Sequence, residues 1–107
     1  MSDPNLDKLV QELRRGLITL AVLSQLDQEQ YGYSLIQRLA EHGLQVEQGT
    51  LYPLLRRLES QGLLQSNWRV EESRPRRYYQ ISPLGEEILP DLNAEWQSMV
   101  QVMEKML

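Results

Sequence analysis

A chain of 107 residues is enough for one small domain, at ~100–200 residues per domain, and its core is thin enough that association between copies is expected. Hydrophobic residues make up 41% and charged residues 24%, the balance of a soluble globular protein. The absence of Cys excludes a disulfide scaffold, a thiolate metal site and a Cys nucleophile, and a lone histidine, His42, leaves no basis for a metal cluster or Ser-His-Asp hydrolysis. The net charge of −4 is unevenly spread: residues 1–44 carry −2, residues 45–80 carry +2 through Arg56, Arg57, Arg69, Arg74, Arg76 and Arg77, and residues 83–107 carry −4. Because phosphate responds to the local patch more than to the total, the basic middle is the one stretch suited to an anionic partner.

Leu6, Leu9, Val10, Leu13, Leu17, Leu20, Ala21 and Leu23 step by three and four, which marks a first amphipathic helix capped near Asp3 or Asn5. Gly16 lies inside it, costing about 1 kcal/mol against Ala and leaving room for another backbone to approach. The longest apolar run, Leu17 to Leu23, is interrupted by Thr19 and is too short to span a bilayer. Asp3 and Asp7 stand where a signal peptide would carry basic residues, so a cytoplasmic protein is the default expectation.

Asp27–Gln30 reads as a polar break. A second helix runs from Tyr31 to Glu41 on Leu35, Ile36 and Leu39, and Gly43 stops it. After a short link, Leu44–Gln48, a third helix spans Thr50–Gln61 with Leu51, Leu54, Leu55 and Leu58 inward, and Gly62 ends it. Pro53 should fall in its first turn or so. Leu63–Val70 reads as a strand, Glu71–Pro75 as a turn and Arg76–Ile81 as the returning strand. Ser82-Pro83 then starts a last helix, with Ser at the cap and Pro at the first position. The order is that of a mainly α fold with a small β-hairpin: a winged helix-turn-helix over residues 1–82 and a C-terminal dimerisation helix over 83–107.

In that arrangement the third helix lies in the DNA major groove and the hairpin touches the flanking backbone. The candidate DNA-contacting residues are Gln48, Gly49, Thr50, Tyr52, Pro53, Arg56 and Arg57 on the helix, with Arg74, Arg76 and Arg77 around Pro75 at the hairpin tip. Gln48 and Thr50 suit base edges or a thymine methyl, Arg56 a guanine or a phosphate, and the arginine tip a phosphate rail or narrow minor groove. Tyr52 is open between contact and packing. Tyr31 and Tyr33 read as packing residues, Trp68 as packing its strand onto the helices, and His42 as a helix-end cap.

On the last helix Leu89, Leu92, Trp96, Met99, Met103 and Met106 step by three and four, a seam of about two and a half heptads that a lone helix cannot bury. It either folds onto its own domain or joins a second copy, and a homodimer on a palindromic duplex is the preferred reading, since helix-turn-helix proteins read paired half-sites. Pro90 should kink or reset this helix. Trp96 is either a core filler or, facing its copy across a two-fold axis, a platform for a flat aromatic ligand, with Met99 adapting around it. No GxG phosphate cradle, acid–base dyad or activated nucleophile is visible, so neither an enzyme nor a cofactor is expected; a winged-helix protein-interaction module is the other class the residues allow.

The stretches Tyr31-Gly32-Tyr33-Ser34-Leu35-Ile36, Gly49-Thr50-Leu51-Tyr52-Pro53-Leu54-Leu55-Arg56-Arg57-Leu58-Glu59, Gly62-Leu63-Leu64 and Arg74-Pro75-Arg76-Arg77-Tyr78-Tyr79 resemble the PadR family of bacterial transcriptional regulators, and Leu13-Arg14-Arg15-Gly16 resembles the family's opening. The resemblance implies a DNA-binding repressor, dimeric through its C-terminal helix and in many members controlled by a small molecule. A single C-terminal helix resembles the short subfamily, in which some members hold planar compounds between paired tryptophans. Trp96 lies where such a residue would be, although Pro90 and the acidic helix face depart from the pattern.

Overall fold

The computed structural model describes residues 3–107, as four helices and a three-stranded antiparallel sheet: α1 (Pro4–Gln25), β1 (Gln30–Tyr31), α2 (Gly32–Glu41), α3 (Gln48–Ser60), β2 (Leu64–Glu71), β3 (Arg74–Ile81) and α4 (Pro83–Met106), with strand order β1-β3-β2. The mainly α winged helix-turn-helix is therefore present. The sheet has one strand more than the expected hairpin: Gln30 and Tyr31 pair with Tyr79 and Tyr78. Two residues are too few to show a period, which is why this segment read as a break.

Helix ends follow from local chemistry. The Asp3 side chain accepts from the Asn5 N–H at 2.8 Å with Pro4 at the first position of α1. Gly43 and Gly62 both adopt positive φ (93° and 82°). Each closes a Schellman motif: Leu44 N–H donates to Leu39 O and Gly43 N–H to Ala40 O, and Leu63 N–H to Leu58 O and Gly62 N–H to Glu59 O. His42 is the C-cap of α2, and its Nδ1 donates to the Arg38 carbonyl at 2.8 Å. α3 begins at Gln48, not Thr50, on the unaided backbone carbonyl of Glu47. Pro53 consequently falls in the second turn, and the Gly49 carbonyl four residues back has no helical donor.

The hairpin is tighter than expected. Its turn is Glu72-Ser73 alone, both at positive φ (50° and 65°), and Arg74 and Pro75 already belong to β3, opposite Glu71 and Val70. β1 reaches only to Tyr78, so β3 is an edge at Pro75 and tolerates its missing N–H.

One core joins these elements. Val22, Leu23 and Leu26 from α1 and its cap, Leu35 and Leu39 from α2, and Leu51, Leu55 and Leu58 from α3 are fully buried, with Leu64, Tyr79 and Ile81 closing the sheet side. α4 is pinned at its start: Ser82 Oγ accepts from Gly85 N–H at 3.0 Å and donates to the Gly62 carbonyl at 2.6 Å. A Cβ on Gly85 would sit 2.4 Å from the Leu63 carbonyl, so only glycine fits.

α4 runs through Pro90 without a reset. Its apolar seam divides. Leu89 and Leu92 are half-buried against the chain's own core, whereas Trp96, Met99, Met103 and Met106 are exposed, as are Leu6, Leu9, Val10 and Leu13 at the start of α1. Trp68 does not pack its strand onto the helices, being 66% exposed, and Tyr33 is half exposed at 51%. Tyr31 does pack, edge-to-face on Tyr78 with ring centroids 5.4 Å apart. No helix among the described residues is long and apolar enough to cross a membrane.

Beyond the local helix backbone, nothing among the described residues lies within 4 Å of where a Gly16 Cβ would stand. Replacing mid-helix Gly16 by Ala should therefore raise stability by about 0.5–1 kcal/mol, read as a higher denaturant midpoint at unchanged slope.

Candidate nucleic-acid interface

Burial of Leu51, Leu54, Leu55 and Leu58 fixes the rotation of α3 about its axis. At 3.6 residues per turn, the opposite side then carries Gly49, Pro53, Arg56 and Arg57, all exposed, with Thr50 on its flank and Gln48 exposed at the helix start. Adjacent helix positions diverge by about 100°, so the two arginines part company. Arg56 faces the wing, sharing a pocket with Tyr52, Trp68 and Pro75. Arg57 faces α1, beside Thr50 and Pro53.

Tyr52 is half-buried with its ring against Gly32, where a Cβ would meet the ring at 2.4 Å. Gly32 thus lets α2 and α3 approach closely. This gives Tyr52 a packing role while leaving part of the ring at the surface beside Arg56.

The wing arginines are not equivalent. Arg74 has no carboxylate within 4 Å among the described residues, whose four ion pairs use Arg38, Arg69, Arg76 and Arg77. Arg76 lies 3.6 Å from Glu71 and 4.6 Å above the Tyr31 ring. Arg77 reaches back to α3, donating to Glu59 Oε1 at 2.6 Å and to Ser66 Oγ at 3.0 Å, while Ser66 Oγ itself donates to the other Glu59 oxygen. Arg77 therefore ties the wing to α3, and the grouping of three arginines at a hairpin tip gives way to a graded row. Arg74 is next to the turn, and Arg76 and Arg77 lie further into β3 with partners of their own.

Around this row the polar groups are matched. Arg69 pairs with Glu29 and covers the Tyr78 ring at 4.6 Å, and the Tyr78 hydroxyl donates to Glu71 at 2.8 Å. That hydrogen bond holds the Tyr78 phenol above its ordinary pKa, and burial does the same for Tyr79.

Glu59, Ser66 and Glu71, the partners of the wing arginines, did not stand out in the sequence. Their roles depend on the β2–β3 register, which brings Ser66 opposite Tyr79 and Trp68 opposite Arg77. Arg14 also enters the neighbourhood of α3, donating to the Gln45 carbonyl of the α2–α3 link.

A buried-face helix with an arginine-bearing outer side, flanked by a wing, defines a winged helix-turn-helix DNA-binding regulator. Residues 19–91 match the transcriptional regulator PadR-like family, and the chain belongs to that family, one of DNA-binding regulators and not of enzymes. It is 42% identical over 83 residues to the transcriptional regulator Rv3488 of Mycobacterium tuberculosis, covering 77% of this chain and 78% of that protein. It is also similar to the crystal structure of a PadR family transcriptional regulator from Eggerthella lenta, with TM-score 0.88 and 46% identity, covering 94% and 90% of the two chains. A PadR-like transcription factor from Bacteroides fragilis has TM-score 0.78 and 31% identity, covering 94% and 99%.

The Arg77–Glu59 pair is about one-third exposed and hydrogen-bonded, which puts its worth between a surface pair and a buried one. Arg77→Ala and Glu59→Ala should each lower stability by about 1 kcal/mol, with a double-mutant cycle showing that most of it is shared.

Proposed function

We propose that the chain is a homodimeric repressor that reads a palindromic operator through α3 and the wing and is released by a small planar aromatic ligand held between the two copies of α4. The observation that carries the DNA half is the outer side of α3, exposed and, among the described residues, without carboxylate partners at Arg56 and Arg57. Gln48, Gly49 and Thr50 lie at the N-terminal end of α3, which enters the groove first and whose free N–H groups favour phosphate. Pro53 and Tyr52 shape the contact, Arg56 and Arg57 supply base or phosphate contacts, and Arg74 meets the flanking backbone. Arg76 contributes what its pairing with Glu71 leaves free, and Arg77 acts mainly by holding the wing in place. Residues 1–82 form the DNA-binding unit and residues 83–107 the joining helix.

The dimer half rests on Trp96, Met99, Met103 and Met106, an apolar stripe left exposed along α4. Leu89 and Leu92 add to the seam only the surface their own core leaves uncovered. A second copy covers this stripe, and Trp96 from each copy, with Met99 beside it, forms the two walls of a flat pocket. The acidic character of α4, with Glu86, Glu87, Asp91, Glu95 and Glu104 against Lys105, favours a cationic occupant. A ligand there changes the separation or tilt of the two α3 helices, and by linkage DNA weakens ligand binding by the same factor.

Arg56→Ala and Arg74→Ala should each weaken binding to a duplex of random sequence and lower the slope of log affinity against log salt by about one per subunit, with the dimer intact. Wild-type affinity and slope in both variants would remove this face.

Met99→Glu should turn a sedimenting dimer into monomers. In a Trp68→Phe background, where Trp96 is the only indole, planar aromatic cations should quench fluorescence in the dimer. A dimer that shows no quenching is a ligand-independent repressor.

A further inference from the structure

On the side of α3 away from the wing, α1, the α2–α3 link and α3 enclose a groove of about 760 Å³. Three guanidiniums line it, Arg14, Arg15 and Arg57, against one carboxylate, Glu47. Arg14 is committed in part to the Gln45 carbonyl, which clasps the link to α1. Arg15 and Arg57 are exposed and take no part in any ion pair among the described residues. Uncompensated like charges gathered on one groove repel one another, and an anion brought between them relieves that repulsion.

A second observation concerns the wall of the groove. Gly16 lines it in the middle of α1, where glycine is the poorest helix former but proline, yet beyond the local helix backbone nothing among the described residues comes within 4 Å of its would-be Cβ. The fold itself does not require the missing side chain. Its absence keeps the groove open to something from outside.

We infer that this groove is a second phosphate seat, taking the backbone of the DNA strand on the far side of the major groove from the wing. The inference rests on the DNA reading proposed above and extends it to α1. Thr50, Pro53 and Arg57 line the groove and also belong to the outer side of α3, so the two surfaces are continuous. Arg56, one position before Arg57 and about 100° round the helix, lines instead the pocket by the wing. A helix lying in a groove ~12 Å wide has a phosphate strand on either side of it. The wing with Arg56 and Arg74 meets one strand; Arg15 with Arg57 meets the other. A free phosphate compound shares the same chemistry, but continuity with the α3 face selects the duplex.

The test compares wild type, Arg15→Ala, Gly16→Leu, Lys8→Ala and Arg74→Ala on one random-sequence duplex over a salt series, with melting temperatures measured in parallel. Lys8 lies on α1 outside the groove and controls for the loss of a charge alone. Arg15→Ala should lower the salt slope by about 0.9 for each phosphate released, Lys8→Ala should leave it unchanged, and Gly16→Leu should weaken binding severalfold without melting lower than wild type. Wild-type binding by both Arg15→Ala and Gly16→Leu beside a weakened Arg74→Ala overturns the second seat and leaves the wing reading standing. Wild-type binding by Arg74→Ala as well overturns both. An equal loss in Lys8→Ala reduces the effect to long-range charge and overturns the seat. Saturation of the Arg15 and Arg57 guanidinium NMR signals by inorganic pyrophosphate, with unchanged duplex binding by Arg15→Ala, assigns the groove to a free anion and overturns it too.

Discussion

The burial of four leucines along α3 is the constraint on which the rest of the molecule depends. Leu51, Leu54, Leu55 and Leu58 are all but removed from solvent. A fully buried leucine contributes about 1.5–3 kcal/mol, so a different rotation of this helix would cost more than a small domain has in reserve. Once the inner side is set, the outer side has no freedom. Thr50, Pro53 and Arg57 turn toward α1, Tyr52 and Arg56 toward the wing, and the N-terminal end carrying Gln48 and Gly49 is left open.

Two further attachments give that helix its neighbours. The Glu59–Arg77–Ser66 hydrogen bonds fasten β2 and β3 to α3. Ser82 and Gly85 fasten the start of α4 to the end of α3, so the direction of the long C-terminal helix is tied to the same element. The arginines divide accordingly. Arg69, Arg76 and Arg77 have carboxylate partners and build the scaffold, whereas Arg15, Arg56, Arg57 and Arg74 have none among the described residues and form the charged surface. A net charge of −4 is compatible with a polyanionic partner because the acidic excess sits at the two ends of the chain.

Much of this was legible in the residue order wherever a local interaction decides the outcome. The leucine spacing of α3, the glycines that stop α2 and α3, and Ser82-Pro83 at the head of α4 each act within one turn of helix, and each is found where expected. What could not be read depends on distant partners. β1 exists only because β3 is beside it, and the start of α3 at Gln48 has no side-chain cap to announce it. Glu72 and Ser73 take a left-handed turn that favours Asn-Gly, so the wing looked longer-looped than it is. Trp68 reads as a packing residue of its strand, but the register turns it to the surface beside Arg77. The seam of α4 showed an even heptad step, yet only the structure divides it between Leu89 and Leu92 on the core and Trp96 onward in the open. The basic segment pointed to α3 and the wing, while Arg14 and Arg15, in an acidic stretch of sequence, joined α3 only through the fold.

Selection of bound duplexes from a random pool tests the central claim most directly, because it reads out base recognition and two-fold symmetry together. Enriched sequences should form a palindrome whose half-sites are centred about one helical turn, or a small multiple of it, apart. A pool that shows no enrichment, or that converges on a single asymmetric site, would contradict a paired presentation of α3 to DNA.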